Sequence, residues 1–144
     1  MTDRAQELTD PSEIRTLLLA TRTVAVLGVH EVPSKAAFYV PDYLHSVGMR
    51  VLPVNPRYVG RTMWGEPVRA SLAEIDEPVD MVDVFRRPDR LFGHLDDLLA
   101  MAPPPGLVWL QSGIRNERFA DAVTSAGIRI VQSRCTLADH RRWS

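Results

Sequence analysis

The chain of 144 residues has one cysteine, Cys135, so it cannot close an internal disulfide, and a reducing compartment such as the cytoplasm is the expected location. Excess charge of either sign is missing too. With 17 basic residues against 18 acidic ones the formal charge is −1, which excludes a general attraction to nucleic acid or to an anionic membrane. The apolar runs fall far short of the ~20 residues that span a bilayer. The polar start, Met1 to Asp10, has no basic region followed by an apolar one, so secretion is not expected. The histidines at 30, 45, 94 and 140 show no metal-ligand spacing. There are no internal repeats, no low-complexity segment and no linker, so the length fits one domain, with a core over about residues 12–135. Residues 136–144 read as a polar, basic tail with a turn of helix near Leu137. Lysine is nearly absent as well: Lys35 is the only one, and arginine supplies the rest of the basic residues.

What is present begins with Thr23-Val24-Ala25-Val26-Leu27-Gly28, a buried strand that breaks at glycine. A polar stretch from His30 to Lys35 follows, then a helical run from Ala36 to Val47, Gly48, and a second strand, Val51-Leu52-Pro53-Val54-Asn55-Pro56. Strand, helix and strand within some thirty residues make a βαβ unit. The order strand, glycine, loop, helix places free backbone N–H groups and the positive end of a helix dipole where a diphosphate can sit. Lys35 lies in that loop, placed to touch a phosphate as a point charge.

Upstream, Asp10-Pro11-Ser12-Glu13 carries the cap, proline and acidic signals of a helix start. Downstream, Met63 to Pro67 is too short and broken for a core element, and Ser71 to Ile75 is a capping box on about one helical turn. A third main strand runs from Val79 to Phe85, and a helix follows from Pro88 to Ala102, stopped by Pro103-Pro104-Pro105-Gly106. The fourth strand is Leu107 to Leu110, with Gln111-Ser112-Gly113 as its exit loop. After a further helix closed by Gly127, Ile128 to Val131 is the fifth.

Five short apolar strands alternating with helices define an α/β fold with a parallel, doubly wound sheet and right-handed crossovers. In such sheets ligands bind outside the carboxyl ends of the strands, where the strand order reverses. Four loops meet there: Gly28 to Lys35, Asn55 to Gly60, Phe85 to Pro88, and Gln111 to Gly113. The dinucleotide fingerprint needs three glycines after the first strand, but Gly28 is followed by Val29-His30-Glu31-Val32-Pro33. The second strand ends in Asn55, Pro56 and Arg57, without the acid that would meet the ribose of NAD. A cation there favours a ribose that carries an extra phosphate, as in NADP or coenzyme A.

The runs Val51-Leu52-Pro53-Val54-Asn55-Pro56, Asp83-Val84-Phe85-Arg86-Arg87-Pro88 and Trp109-Leu110-Gln111-Ser112-Gly113, with Gly28, Pro33-Ser34-Lys35 and Arg134-Cys135, resemble the small bacterial and archaeal CoA-binding proteins. Those in turn are similar to the N-terminal CoA-binding domain of the succinyl-CoA synthetase alpha subunit. The resemblance covers about residues 12–142. It implies a Rossmann-like single domain with strand order 3-2-1-4-5 that binds coenzyme A, or an acyl-CoA, along the C-terminal edge of the sheet. By the same resemblance Gly28, Val29, His30, Ser34 and Lys35 cradle the diphosphate. Asn55, Pro56, Arg57 and Tyr58 line the adenosine end, Phe85, Arg86 and Arg87 flank it, and Gln111, Ser112 and Gly113 meet the pantetheine arm. Many members continue the first loop with proline and serine, whereas Ala36-Ala37-Phe38 stand here, leaving the hydroxyl contact to Ser34.

Groups that could carry out chemistry are scarce. Ser112 lacks the leading glycine of a nucleophile elbow. Cys135 has His140 five residues on, but an inert packed thiol is the simpler reading. Asp80 and Asp83, at odd spacing on one strand, cannot share a face and form no dyad. Asp83 reads instead as a cap for a neighbouring loop or helix. Three functions follow as expectations. The first is a non-catalytic CoA or acyl-CoA binder acting as carrier, sensor or regulatory partner. The others are an NADP-binding reductase or redox sensor, and a CoA-domain subunit of a multi-chain acyl-CoA ligase. A small-molecule nucleotide is the expected ligand, with a protein partner or a homo-oligomer left open.

Overall fold

The computed structural model describes residues 5–144; residues 1–4, the head of the polar start, lie outside the described residues. In chain order the elements are α1 (Pro11–Ala20), β1 (Thr23–Leu27), α2 (Ala36–Ser46), β2 (Arg50–Val54), β3 (Thr62–Met63), β4 (Glu66–Pro67) and β5 (Met81–Val84), then α3 (Leu95–Leu99), β6 (Leu107–Leu110), α4 (Glu117–Ser125), β7 (Ile130–Val131) and α5 (Thr136–Trp143). Short 3-10 turns lie at Pro56–Tyr58, Leu72–Glu74 and Pro88–His94. Asp10 caps α1 by accepting the Ser12 N–H at 3.0 Å, and Asn116 caps α4 by accepting the Phe119 N–H at 3.0 Å.

Five parallel strands form the main sheet in the order β2-β1-β5-β6-β7, and β3 and β4 form a separate antiparallel hairpin. Because both faces of a parallel sheet are covered, successive residues along a strand enter different cores. Val24 and Val26 of β1 pack with Ile14 and Leu18 of α1 and Leu44 of α2. Ala25 and Leu27 pack with Leu98 of α3 and with Phe119 and Val123 of α4. Thus α1, α2 and α5 cover one face, and α3 and α4 the other. Among the described residues no helix is long and apolar enough to cross a membrane.

The α/β doubly wound architecture is as expected, but the strand order is not. Counting main strands along the chain it is 2-1-3-4-5: the third, β5, pairs with β1 instead of lying beyond β2. Among the described residues the position beyond β2 holds a parallel bridge between Val54 and Arg69 in place of a strand, with the Arg69 N–H donating to Pro53 O at 3.0 Å and the Asn55 N–H to Arg69 O at 2.9 Å. Chain that could have built an outer strand there is spent on the hairpin and a 3-10 turn. The order therefore reverses between β1 and β5, and the ends of those two strands define the crevice.

Two other segments differ from expectation. The helix expected over residues 88–102 is a 3-10 turn over Pro88–His94 followed by the five residues of α3. The tail is a regular eight-residue helix, α5, with Thr136 and Asp139 buried. Arg134 holds it through a paired contact to Asp139, Nε–Oδ2 2.7 Å and Nη2–Oδ1 3.0 Å, and Tyr43 Oη meets His140 Nδ1 at 2.9 Å. Composition alone hid this helix, because its apolar contribution is small and its attachment is polar.

Candidate functional site

Gly28 stands where three strand ends meet. Its N–H donates to Val54 O at 2.8 Å, the Phe85 N–H donates to Leu27 O at 2.8 Å, and its φ is +93°. A Cβ at Gly28 would lie 2.5 Å from Phe85 O, so both the left-handed conformation and the close approach require glycine. Beyond it the chain turns through Val32 to Lys35 and enters α2, whose N-cap, Lys35, makes no side-chain cap. The proline inside α2 matters here. Pro41 has no N–H to give to the carbonyl four residues back, and that carbonyl, Ala37 O, instead accepts the His30 N–H at 3.2 Å. The helix break thereby tethers the loop. His30 Nδ1 accepts the Val32 N–H at 3.0 Å, leaving Nε2 as the free ring nitrogen.

The second loop is fixed by Asn55. Its Oδ1 accepts the Arg57 N–H at 3.0 Å and its Nδ2 donates to Val29 O at 2.8 Å, so one buried side chain caps its own turn and ties it to the first loop. Tyr58 sits beneath, edge-on to His30 with ring centroids 6.1 Å apart, with the Arg57 guanidinium 5.5 Å from its ring centre.

These loops enclose a cleft of about 690 Å³ at the carboxyl ends of the strands. From the first loop Gly28, Val29, His30 and Lys35 line it, from the second Asn55, Pro56, Arg57 and Tyr58, from the third Phe85, Arg86 and Arg87, and from the fourth Ser112 and Gly113. Two expected site residues do not. Ser34 is exposed on the turn before α2, outside the lining. Gln111 is buried, and its amide donates to Asp83 Oδ1 at 2.6 Å and Thr136 Oγ1 at 2.7 Å. The pleat explains this: Gln111 continues the alternation of β6 and shares the face of Leu107 and Trp109, toward α5. Pro88, the end of the third loop, lines the cleft as well, and Ala36, Ala37 and Ile114 line it without having been singled out. The two alanines carry no chemistry that sequence reasoning could notice, since what they offer is backbone at the first turn of α2.

The charges are unevenly matched. Among the described residues Lys35, Arg57 and Arg86 have no acidic partner, and Arg86 Nε and Tyr58 Oη are buried without a hydrogen bond. Burial, with the Arg90 charge as the smaller cause, holds Arg86 below the usual arginine range. An unpaired, desolvated guanidinium is unfavourable until an anion meets it. On the other side of β5, Asp83 is fully buried with no cation. Desolvation pushes it up to about 7, against hydrogen bonds from Gln111 and Thr136 that favour the ionised form. It meets α5 through the Thr136 hydroxyl, 3.1 Å away, a side-chain contact in place of the backbone cap expected of it. Cys135 is a half-buried free thiol, and His140 is engaged by Tyr43.

A Rossmann-like sheet with a cationic cleft at its order-reversal point defines a domain that binds a phosphorylated ligand. Residues 22–141 match the family described as a CoA binding domain, and the chain belongs to that family. It is 30% identical to the uncharacterized protein YneT of Bacillus subtilis over 129 residues, 90% of this chain and 93% of that one. Among solved structures, a Thermus thermophilus protein is 49% identical with a TM-score of 0.89, covering 94% of this chain and 100% of its own. A hypothetical protein from Pyrococcus horikoshii is 26% identical with a TM-score of 0.86, covering 99% and 98%. Membership carries CoA binding in general.

Proposed function

We propose that the protein binds coenzyme A or an acyl-CoA in the cleft and serves as a carrier, sensor or regulatory partner, without catalysing a reaction on its own. The observation that carries this reading is Arg86, a half-buried guanidinium with no counter-charge among the described residues, set between the ends of β1 and β5 in a cleft that also holds Lys35 and Arg57, unpaired among the same residues. Coenzyme A offers a diphosphate and a ribose phosphate, which suit that set of cations. Residues 28–37 would take the diphosphate on backbone N–H groups and Lys35, Arg57 the ribose phosphate, and Ser112, Gly113 and Ile114 the less polar pantetheine arm. The non-catalytic part is supported by where acid and base groups are used: Asp83 on Gln111 and on Thr136 of α5, and His140 on Tyr43.

Calorimetric titration with CoA, acetyl-CoA, NAD and NADP tests the reading. A CoA species binding more tightly than either dinucleotide, and less tightly as salt is raised, is the expected result. Tighter binding of NADP than of every CoA species would overturn it.

A further inference from the structure

Across the wall formed by residues 85–87 lies a second hollow of about 590 Å³, lined by Phe85, Arg86, Arg87, Arg90, Gly93 and His94. Its ionisable side chains are three arginines and a histidine. Burial and then the Arg90 charge disfavour the charged form of Arg86. Burial and then the Arg86 charge do the same for His94, with Asp97 opposing as the smallest cause. The acid paired with the group is Asp89, 3.6 Å from Arg87, with both side chains 71% exposed, so it neutralises little. Like charges gathered with so little counter-charge repel one another, and an anion placed among them relieves that repulsion.

The position limits what the anion is. The hollow and the cleft share Phe85, Arg86 and Arg87, so one extended ligand can enter both. Lys35, Arg57 and the first turn of α2 already face the cleft, and Arg90 and His94 lie outside it, beyond what the nucleotide phosphates require. We infer that this hollow is a carboxylate subsite, and that the protein prefers CoA thioesters whose acyl group carries a free carboxylate over thioesters with a neutral acyl group. The inference rests on the CoA reading above. Arg90 supplies the forked donors that a planar carboxylate accepts, and His94 a single ring donor.

Acetyl-CoA and malonyl-CoA differ by one carboxylate and form the matched test pair. Both are titrated, together with CoA and 3′-dephospho-CoA, into the wild type, Arg90→Gln and His94→Gln. The wild type is expected to bind malonyl-CoA about tenfold more tightly than acetyl-CoA at low salt. Arg90→Gln reduces that ratio to within about twofold while acetyl-CoA binding is kept, and His94→Gln, the independent second variant, reduces it in part. Equal affinity for the two thioesters in the wild type overturns the inference, as does a ratio unchanged in both variants. It also falls if Arg90→Gln weakens CoA but spares 3′-dephospho-CoA, because the hollow then serves the ribose phosphate. Binding without discrimination defeats the subsite alone; no binding of any CoA species defeats the CoA reading and the subsite together.

Discussion

The two rims of the sheet use the same residue types in opposite ways. At the amino ends of the strands, Arg50, the first residue of β2, is bonded to both Glu66 and Glu77, and Glu66 also receives Arg69. Asp80, just before β5, accepts the N–H groups of Arg22 and Thr23 at 2.8 and 2.9 Å. Hydrogen bonding from Arg50 is the main cause that holds Glu66 below the usual carboxylate range. At the carboxyl ends Lys35, Arg57 and Arg86 have no such partners among the described residues. A chain whose charges sum to −1 therefore pairs Arg50 and Arg69 with acids at one rim and, among the described residues, leaves the three cleft cations without acids at the other. Net charge describes neither; the pairing does.

The largest break in this contrast comes from the backbone. Gly28→Ala forces a Cβ to 2.5 Å from Phe85 O, and a drop of roughly 2–4 kcal/mol in unfolding free energy with loss of CoA binding is expected, read by urea denaturation and calorimetry. Gly48→Ala, before β2 at the other rim, shares a positive φ but meets nothing within 4 Å, and should lower stability by about 1 kcal/mol and leave binding intact.

The next comparison is between arginines. Arg86→Gln is expected to weaken CoA binding about 10- to 100-fold, the worth of a charge-assisted hydrogen bond, while thermal stability holds or rises because an unpaired guanidinium is gone. Arg50→Gln should do the reverse, lowering stability by under about 1 kcal/mol with CoA affinity unchanged.

Asp83 sharpens the contrast from the acidic side. Its value in the folded protein, about 7, lies above that of the unfolded chain, so the folded state holds an extra proton between about pH 4 and pH 7. Its contribution to stability is full below that window and is lost as pH rises through it. The stability difference between wild type and Asp83→Asn should therefore move against the wild type by roughly 2–3 kcal/mol from pH 5 to pH 8. His94 and His140, lowered by burial, act in the opposite direction but cancel from the difference. The smallest expected effect is that of Pro41→Ala. It restores a helical N–H that competes with His30 for Ala37 O, which should loosen the first loop and weaken CoA binding about two- to fivefold without loss of stability.

Most of the cleft lining was legible because glycine, proline and asparagine mark strand exits whatever the tertiary pairing. Gly28, Asn55, Arg86 and Gly113 fell into one cleft as the crevice rule requires. What could not be read depended on partners remote in sequence. The order around β5 depends on which strand edge the chain returns to, and nothing in residues 79–85 encodes that. Gln111 resembles an exit-loop residue until Asp83 and Thr136, 28 and 25 positions away, are seen to claim its amide. Residues 88–102 carry a helical stripe of leucines, but the chain takes 3-10 turns through His94 before its one α turn.

The most direct test is an amide chemical-shift titration of the isotopically labelled protein with CoA, which reads both rims at once. Shifts concentrated in residues 28–37, 57–58, 85–87 and 112–114, with Arg22, Arg50 and Asp80 unmoved, are what the account predicts. Shifts centred on the paired rim, or none at saturating CoA, would contradict it.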